Sequence, residues 1–393
     1  MKTNKDSIHI CFVASSFYPA IIYGGPILSN YNLCKVVNSD TCTIQILTTN
    51  ANGKVRLDVN TEKNLSLSKY LYIRYFNETI IGRFSKSFLW QAGQYFKSCD
   101  LIHCSDIFST TYLISVFHSI RFKKNILIST RGTLANYGLK NRFFVKKIWI
   151  RLFVKPIVKN LHFLATSEKE KVEITRHVNT ENVHIIPNGI DIKKLHLIKF
   201  SEENFNAFLK KYKIHKSPKQ KLIVSLGRMD KKKGFDILIS AYNLLKTDNI
   251  LIIAGPYGPE RESLTRQINN SKSENIFLLE NLEFEEKNLL LKYANVFALP
   301  SHDENFGNVY LEALILGTPI VASTSTPWEH INAAHCGIHT ENTSESFAQA
   351  IKTILENPHV YTSENCIHLA EQYSLENYAS NFKQLYQKII DDA

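Results

Sequence analysis

The sequence predicts an α/β protein made of two doubly wound domains that face each other across a central cleft. Its 393 residues suffice for two domains of ordinary size, and 44% hydrophobic with 21% charged residues is a globular composition. Short apolar runs alternate with helix-like segments along the whole chain, which indicates parallel strands joined by crossover helices. A Pro-Asn-Gly turn at Pro187–Gly189 separates two similar halves.

The first half, residues 1–188, contains seven predicted strands with helices between several of them. The predicted strands are Ile8–Ala14, Thr43–Leu47, Leu71–Tyr75, Leu101–Cys104, Ile126–Ser129, Leu161–Ala165 and Val183–Ile186. The predicted helices are Pro26–Val37, Phe84–Phe96, Thr110–Ser119, Arg142–Val158 and Glu168–His177.

The second half, residues 189–374, repeats this scheme after a polar, lysine-rich linker with a surface helix. Its predicted strands are Leu222–Leu226, Ile250–Ala254, Ile276–Leu279, Val296–Leu299 and Ile320–Ala322. Its predicted helices are Phe235–Leu245, Pro259–Ile268, Glu285–Tyr293, Asn308–Leu316 and Ser344–Leu355. Ligands of open parallel sheets bind at the carboxyl ends of the strands, so the loops that follow strands are the candidate binding loops.

Composition disfavours several classes of protein. Seven cysteines, an odd number without Cys-x-x-Cys spacing, argue against a disulfide framework and a zinc ribbon and for a reducing cytoplasm. The apolar runs are far shorter than the roughly 20 residues of a membrane-spanning helix. The polar start and short run behind it are typical of a first strand, and not of a secretory signal.

Charge is distributed unevenly between the halves. Residues 1–190 carry 25 Lys and Arg against 11 Asp and Glu, a net charge of +14, whereas the remainder carries 22 against 25, a net charge of −3. A basic half attracts phosphates, whether of nucleic acid, anionic lipid or a phosphorylated small molecule.

Two loops have features of phosphate sites. Gly24-Gly25 lets the backbone approach a ligand ahead of a helix N-terminus, although a plain glycine turn would explain it equally well. Arg228 and Lys233 lie five residues apart after a strand and before a helix, which suits a diphosphate. A solvated lysine loop would account for Lys231 and Lys232.

Two carboxylates follow the strand Val296–Leu299. Glu304 lies in the loop at the strand end, and Glu312 lies about one turn inside the next helix, so both are expected on the ligand side. Such acids can accept hydrogen bonds from sugar hydroxyls and a ribose diol. A hydrolytic carboxylate pair is the competing interpretation, but it has no need of a neighbouring diphosphate site.

Taken together, these motifs resemble the family 4 retaining glycosyltransferases (glycosyl transferases group 1), which have the GT-B fold of two Rossmann-like domains. The motifs that carry the resemblance are Gly24-Gly25, Asp100–His103, Pro187–Asp191, Gly227-Arg228 with Lys233-Gly234, Ala254-Gly255, Glu304 with Glu312, and Gly317–Ala322. The resemblance implies an acceptor-side domain at 1–188, joined by a last helix within 375–393, and a nucleotide-sugar-binding domain at 189–374.

The resemblance also implies a role for each matched residue. Arg228 and Lys233 would bind the donor diphosphate and stabilise its developing charge, Glu304 would contact the donor sugar, and Glu312 would bind the ribose. The other matched donor-binding residues are Gly24, Gly25, Gly255, Asn305, Phe306, Gly307 and Asn308.

One position departs from the family pattern. Many members carry His after the strand corresponding to Ile126–Ser129, whereas this chain has Arg131, followed by Tyr137 and a lysine-rich segment. The candidates for the contact to the donor sugar are therefore Arg131, His103 and His302, and Arg131 is preferred because a lone His is more often structural.

The implied reaction transfers a sugar from a nucleotide-diphosphate donor to an acceptor hydroxyl with retention of configuration, in cell-surface polysaccharide or glycolipid synthesis. The leaving phosphate can itself take the acceptor proton, and a covalent intermediate is the open alternative. The sequence has no Asp-x-Asp motif, so we expect no metal and no other cofactor. A GT-B nucleotide-sugar epimerase is the main alternative. A phosphorylase would need a pyridoxal-binding lysine, and this sequence shows no matching context for one. A non-enzymatic nucleic-acid binder is not supported by any motif in the sequence.

The partners expected besides the donor are a glycan or lipid-linked glycan acceptor and an anionic membrane surface. Residues 142–159 mix aromatic and basic side chains without an acidic residue, although the charges do not form one clean helical face. The hypothesis is a cytoplasmic protein attached peripherally to the inner face of the cell membrane.

Overall fold

The computed structural model describes residues 7–80, 84–135, 138–139, 143–271 and 273–392. The chain divides into two compact units. The first holds the residues up to Asn188 together with those from Glu376 onward, and the second runs from Gly189 to Leu375. Tyr137 and Arg142, which the sequence placed in the Arg131 segment and in the basic helix, lie outside the described residues.

The first unit is built on a mostly parallel sheet. Its described strands are β1 (Ile8–Ala14), β2 (Cys42–Thr49), β3 (Ala51–Asn52), β4 (Val55–Arg56), β5 (Asn64–Ser68), β6 (Leu71–Phe76), β7 (Leu101–Cys104), β8 (Asn125–Ser129), β9 (Leu161–Ala165) and β10 (Val183–Ile185). The sheet order is β10-β9-β8-β7-β1-β2-β6-β5, antiparallel at β5–β6, and β3 and β4 form a separate hairpin. The helices are α1 (Gly25–Val37), α2 (Lys86–Gln91), α3 (Gly93–Ser98), α4 (Thr110–Phe122), α5 (Phe143–Trp149) and α6 (Glu168–Val178).

The second unit is built on a parallel sheet. Its strands are β11 (Leu222–Leu226), β12 (Ile250–Ala254), β13 (Ile276–Leu279), β14 (Val296–Leu299), β15 (Ile320–Ser323) and β16 (Gly337–Thr340), in the order β13-β12-β11-β14-β15-β16. Its helices are α7 (Ile192–Leu195), α8 (Glu202–Lys211), α9 (Phe235–Leu245), α10 (Arg261–Ser271), α11 (Phe284–Lys292), α12 (Asn308–Ile315), α13 (Ser344–Glu356) and α14 (Ser363–Glu371).

The core of the second unit lies on both faces of its sheet. Every residue of β11 and β12 is buried, as expected of central strands covered by helices on both sides. Helix α13 buries Phe347, Ile351 and Ile354, which recur at helical spacing, and its first turn is capped by the Thr343 hydroxyl. Because β11 is paired in parallel with both β12 and β14, the carboxyl ends of these three strands lie at one edge of the sheet, where their loops begin.

The last helix, α15 (Leu375–Asp391), packs in the first unit. It buries Tyr378, Phe382, Tyr386 and Ile389, which lie three or four residues apart and form one apolar face. The Asn125 side-chain amide, at the start of β8, donates to the Ile389 carbonyl at 2.7 Å.

Two predictions about individual elements were wrong. The helix predicted over 142–158 is, in its described part, a succession of α5, a π-helical turn at Ile150–Val154 and a 3-10 segment at Lys155–Asn160. Pro156 lacks the N–H that a continuing α-helix needs, which fits this break. The helix predicted over Phe84–Phe96 is two short helices, α2 and α3.

Candidate functional site

The loop after β11 is shaped by Asp230. One carboxylate oxygen of Asp230 accepts from the Lys232 backbone N–H at 3.0 Å and caps the 3-10 turn Lys231–Lys233. The other oxygen lies 3.1 Å from Nη2 of Arg228, whose side chain is 65% exposed. The guanidinium is thus oriented by a carboxylate and remains exposed to solvent on a strand-end loop. An exposed guanidinium of this kind can donate hydrogen bonds to an anion such as a diphosphate.

Gly234 brings the loop after β11 against the loop after β14. It has φ +65°, and a Cβ at this position would lie 2.1 Å from the Pro300 carbonyl oxygen. The His302 backbone N–H also donates to the Lys232 carbonyl at 2.8 Å. A glycine is needed here both for the left-handed backbone and for the close approach.

Lys233 and Glu304 meet across these two loops. The Lys233 ammonium lies 2.5 Å from a Glu304 carboxylate oxygen, and the Ser301 hydroxyl donates to the same oxygen at 3.1 Å. The structure therefore brings together a cation and an acid that the sequence places 71 residues apart.

A second ion pair lies beside the first. The Lys232 ammonium is 3.2 Å from Asp303, and the two side chains are 27% and 11% exposed. The alternative of a solvated lysine loop therefore accounts for Lys231, which is exposed, but not for Lys232, which is paired. Neither Asp303 nor its pairing was predicted, because the sequence offers no signal that joins two loops so far apart in the chain.

Aromatic side chains pack against the segment from Asn305 to Asn308. The Trp328 indole N–H donates to the Phe306 carbonyl at 2.5 Å, and the Phe306 and Trp328 rings are in contact. Gly307 has φ +79° and precedes α12, which begins at Asn308. The backbone N–H groups at this helix start are suited to anions.

Tyr310 completes this support. Its hydroxyl donates to the Leu299 carbonyl at 2.7 Å, and its ring is fully buried. Burial, and then the charge of Glu304, raise the pKa of Tyr310 well above its ordinary value. Tyr310 is therefore a neutral, structural hydroxyl that sequence reasoning did not single out.

Glu312, the acid expected to bind ribose, is paired with a lysine. On α12, its carboxylate lies 2.8 Å from the Lys287 ammonium of α11, and both side chains are about one-quarter exposed. Gly255 follows β12 and packs against the loop after β11, since a Cβ there would lie 2.0 Å from the Gly227 carbonyl oxygen.

In the first unit, Arg131 follows β8 in a loop anchored by a buried carboxylate. Arg131 and Gly132 have φ +47° and +74°. Glu170, only 1% exposed, accepts from the Thr130 hydroxyl and the Gly132 N–H, both at 2.8 Å. An Nη1 of Arg131 lies 3.4 Å from the Asn188 side-chain oxygen.

The two histidine candidates differ sharply in environment. His103 is completely buried, and its ring nitrogens lie 2.7 Å from the hydroxyls of Tyr386 and Ser129. Both nitrogens are thus engaged within the first unit, which fits a structural role. His302 is exposed, with Nδ1 3.3 Å from the Asn342 amide nitrogen.

Gly24 and Gly25 stand before open space. Among the described residues, and apart from the adjacent residues and the backbone of α1, a Cβ at either position would meet no atom within 4 Å, and Gly24 has φ +82°. The role given to these glycines, like those of the other site residues, stays a prediction.

Neither a metal cluster nor a membrane span is found in the part of the chain that is described. No three His, Cys, Asp or Glu side chains there are placed to hold a metal ion. Among the same residues, no helix has both the length and the apolar character needed to cross a bilayer.

Two family profiles match most of the chain between them. The profile described as Glycosyltransferase Family 4 matches residues 23–194, and the one described as Glycosyl transferases group 1 matches residues 208–373. An uncharacterized glycosyltransferase of Methanocaldococcus jannaschii is 24% identical over 72% of this chain and 74% of its own length.

Two further relatives match over shorter stretches. N-acetylgalactosamine-N,N'-diacetylbacillosaminyl-diphospho-undecaprenol 4-alpha-N-acetylgalactosaminyltransferase of Campylobacter jejuni is 35% identical over 35% of this chain and 38% of its own. A GDP-mannose-dependent alpha-(1-6)-phosphatidylinositol dimannoside mannosyltransferase of Mycobacterium tuberculosis is 29% identical over 46% of each chain.

Solved structures share the fold at low identity. HepE of Anabaena, in complex with UDP and glucose, is 17% identical with a TM-score of 0.74 over 97% of this chain and 100% of its own. Sucrose-phosphate synthase of Thermosynechococcus elongatus is 17% identical, with a TM-score of 0.70 over 98% of this chain and 100% of its own. The predicted GT-B fold class is confirmed, and the chain belongs to the family 4 glycosyltransferases, as an enzyme of the hexosyltransferase type.

Proposed function

We propose that this glycosyltransferase is a retaining enzyme that moves a sugar from a nucleotide-diphosphate donor to a hydroxyl of a glycan or lipid-linked glycan, in cell-surface polysaccharide or glycolipid synthesis. The observation that carries the proposal is the Lys233–Glu304 pair, at 2.5 Å, on the loops after β11 and β14. Relatives named for undecaprenol-linked and phosphatidylinositol-linked acceptors support a lipid-linked acceptor.

The chemistry asks chiefly for stabilisation of the departing diphosphate. Arg228 offers a planar fork of N–H donors, and Lys233 offers a point charge on the same loop. A donor whose diphosphate binds Lys233 and whose sugar hydroxyls donate to Glu304 would satisfy both members of the pair at once. Glu312 is assigned to the ribose hydroxyls, and the first turn of α12 to the sugar or phosphate.

Three alanine variants test these assignments. Arg228→Ala, Lys233→Ala and Glu304→Ala should each lower turnover by on the order of 10²-fold or more, because the two cations stabilise the departing diphosphate and Glu304 positions the donor sugar. Turnover is measured as nucleoside diphosphate release from a nucleotide-sugar panel, by mass spectrometry.

The matched control is Lys231→Ala, on the same loop but exposed. It should keep turnover close to that of the unmodified chain. Near-normal turnover in all three alanine variants would refute the site. Interconversion of nucleotide sugars without acceptor would instead favour the epimerase alternative.

We further propose attachment to an anionic membrane through the basic–aromatic segment, defined as residues 143–160. Phe144 is 78% exposed, and Val145, Ile148 and Leu152 are exposed as well. Trp149 is turned the other way, because its indole N–H donates to the Ile107 carbonyl at 2.9 Å. Exposed apolar side chains interleaved with Lys147, Arg151 and Lys155 suit a surface of anionic lipid.

A further inference from the structure

Two ion pairs run side by side between the loops after β11 and β14. Lys232 pairs with Asp303 at 3.2 Å, and Lys233, the next residue, pairs with Glu304, the next residue on the facing loop. The pairing is therefore in register, and a shift of one loop along the other would break both pairs. Lys232–Asp303 has no part in the proposed donor contacts.

The burial of Asp303 sets its pair apart from an ordinary surface ion pair. The Asp303 side chain is 11% exposed, whereas the side chains of Arg228 and Asp230, which are paired on the loop after β11, are 65% and 23% exposed. Removing a carboxylate from water is costly, and a buried pair commonly contributes little net stability. The contribution expected of this pair is therefore to the arrangement of the two loops and not to overall stability, as for other buried pairs that fix one arrangement.

Further hydrogen bonds fix the loop that carries Asp303. The Lys232 carbonyl accepts from the His302 N–H at 2.8 Å, and the Ser301 carbonyl accepts from the Ser323 hydroxyl at 2.5 Å. Asp303 thus lies in a loop fixed on one side to β15 and on the other to the 3-10 turn of the facing loop.

We propose that Lys232 and Asp303 are positioning residues, whose ion pair sets the separation and register of the two loops and so places Lys233 and Glu304 for the donor. This inference rests on the proposed function. Groups that bind a diphosphate must be held to within a fraction of an ångström, and a displacement of about 1 Å can cost about 10²-fold in rate.

The variant Asp303→Asn separates positioning from simple electrostatics. It removes a negative charge and releases the Lys232 ammonium, so Coulomb attraction alone would make the loops bind an anion more tightly. Positioning predicts the opposite result. We expect affinity for inorganic pyrophosphate, measured by isothermal titration calorimetry on the full chain, to fall about tenfold because Lys233 is misplaced.

A second background shows whether Asp303 acts through Lys233. Adding Asp303→Asn to Lys233→Ala should change the remaining pyrophosphate affinity less than about twofold, because residues that act through one another are not additive. Lys232→Arg keeps the ion pair and should retain affinity, whereas Lys232→Met should lose it. The Lys232 variants keep the test decisive if Asp303→Asn fails to fold, as judged by circular dichroism. Lys231→Met is the control for loss of one positive charge.

The outcomes separate the two proposals. Pyrophosphate binding that Asp303→Asn strengthens or leaves unchanged overturns the positioning role alone, and so does equal loss from Lys232→Arg and Lys232→Met. Absence of pyrophosphate binding by the unmodified chain overturns the diphosphate site, and the positioning role with it.

Discussion

At the scale of single residues, His103 is held by hydrogen bonds in an environment that excludes charge. Its ring is buried among Phe12, Phe382 and Tyr386. Burial, and then the nearby Arg131 guanidinium, lower the pKa of His103 to about 3. The neutral ring links Ser129 of β8 to Tyr386 of α15, so His103 helps to fix the last helix.

Because the pKa of His103 is lowered on folding, we expect the stability of the first unit to depend on pH. An unfolded chain protonates this histidine near pH 6.5, whereas the folded chain does so only near pH 3. The unfolded state therefore holds more protons in between, and stability is lost as the pH falls through that window, at up to about 1.4 kcal/mol per pH unit. His184, whose pKa burial lowers to about 4, adds to the same trend.

The measurement is the melting temperature between pH 7.5 and pH 5, by scanning calorimetry. The variant His103→Gln removes this titration, so it should be less stable at pH 7.5 but lose less stability on acidification. An equal loss in the variant and the unmodified chain would contradict the role given to His103.

Single residues also mark the limit of sequence reasoning. Arg131 could be singled out from its motif, but Glu170, which holds its loop, lies 38 residues beyond the Gly132 N–H that it accepts from. Asp303 and Lys287 likewise owe their roles to partners on other elements. No sequence pattern near these residues identifies such contacts, because the contacts depend on how the strands are ordered in the sheet.

At the scale of elements, glycines decide how closely the site loops approach. Gly234→Ala would combine a left-handed backbone with a Cβ 2.1 Å from the Pro300 carbonyl oxygen. We expect a lower melting temperature, corresponding to a loss of about 1–3 kcal/mol in the free energy of unfolding. We also expect weaker pyrophosphate binding, because the two loops would separate.

The control for this glycine is Gly25→Ala, where a Cβ would meet nothing within 4 Å among the described residues beyond its chain neighbours and the backbone of α1. Its stability should stay within about 0.5 kcal/mol of the unmodified chain. Equal melting temperatures for Gly234→Ala and the unmodified chain would show that the loops do not need this approach.

The Trp328–Phe306 contact offers a second test at the same scale. Trp328→Phe keeps an aromatic ring but leaves the buried Phe306 carbonyl without its indole donor at 2.5 Å. We expect a loss of about 1–3 kcal/mol in the free energy of unfolding, measured by chemical denaturation. A change below about 0.5 kcal/mol would mean that this hydrogen bond does not support the loop.

Strong periodicity made most elements predictable, and weak signals account for the misses. The predicted bounds of β1, β7, β9, β11, β12, β13 and β14 match the structure. Strand β5 was missed although Leu65 and Leu67 alternate with polar residues, because the run is short and its residues are mostly exposed at a sheet edge. Strand β16 was missed because its four residues, Gly337–Thr340, carry little apolar pattern.

At the scale of the whole molecule, the basic half of the sequence also carries most of the large apolar side chains that are exposed among the described residues. The first 190 residues carry the net charge of +14, and the basic–aromatic segment lies among them. We expect co-sedimentation with vesicles that contain anionic lipid, weakening as salt rises, because the Debye length shortens.

Two variants localise that binding. Phe144→Ser should reduce co-sedimentation, since it removes an exposed aromatic ring from the basic–aromatic segment. Leu197→Ser, at an 85% exposed leucine of the second unit, should leave it unchanged. Equal recovery in the supernatant with anionic and neutral vesicles at low salt would argue against membrane attachment.

The most direct test of the central claim is to incubate the unmodified chain with a panel of nucleotide sugars and follow the products by NMR. The account predicts that at least one donor is cleaved to a nucleoside diphosphate and that the sugar is first released or transferred with its original anomeric configuration. Cleavage of no donor, or a product of inverted configuration, would contradict it.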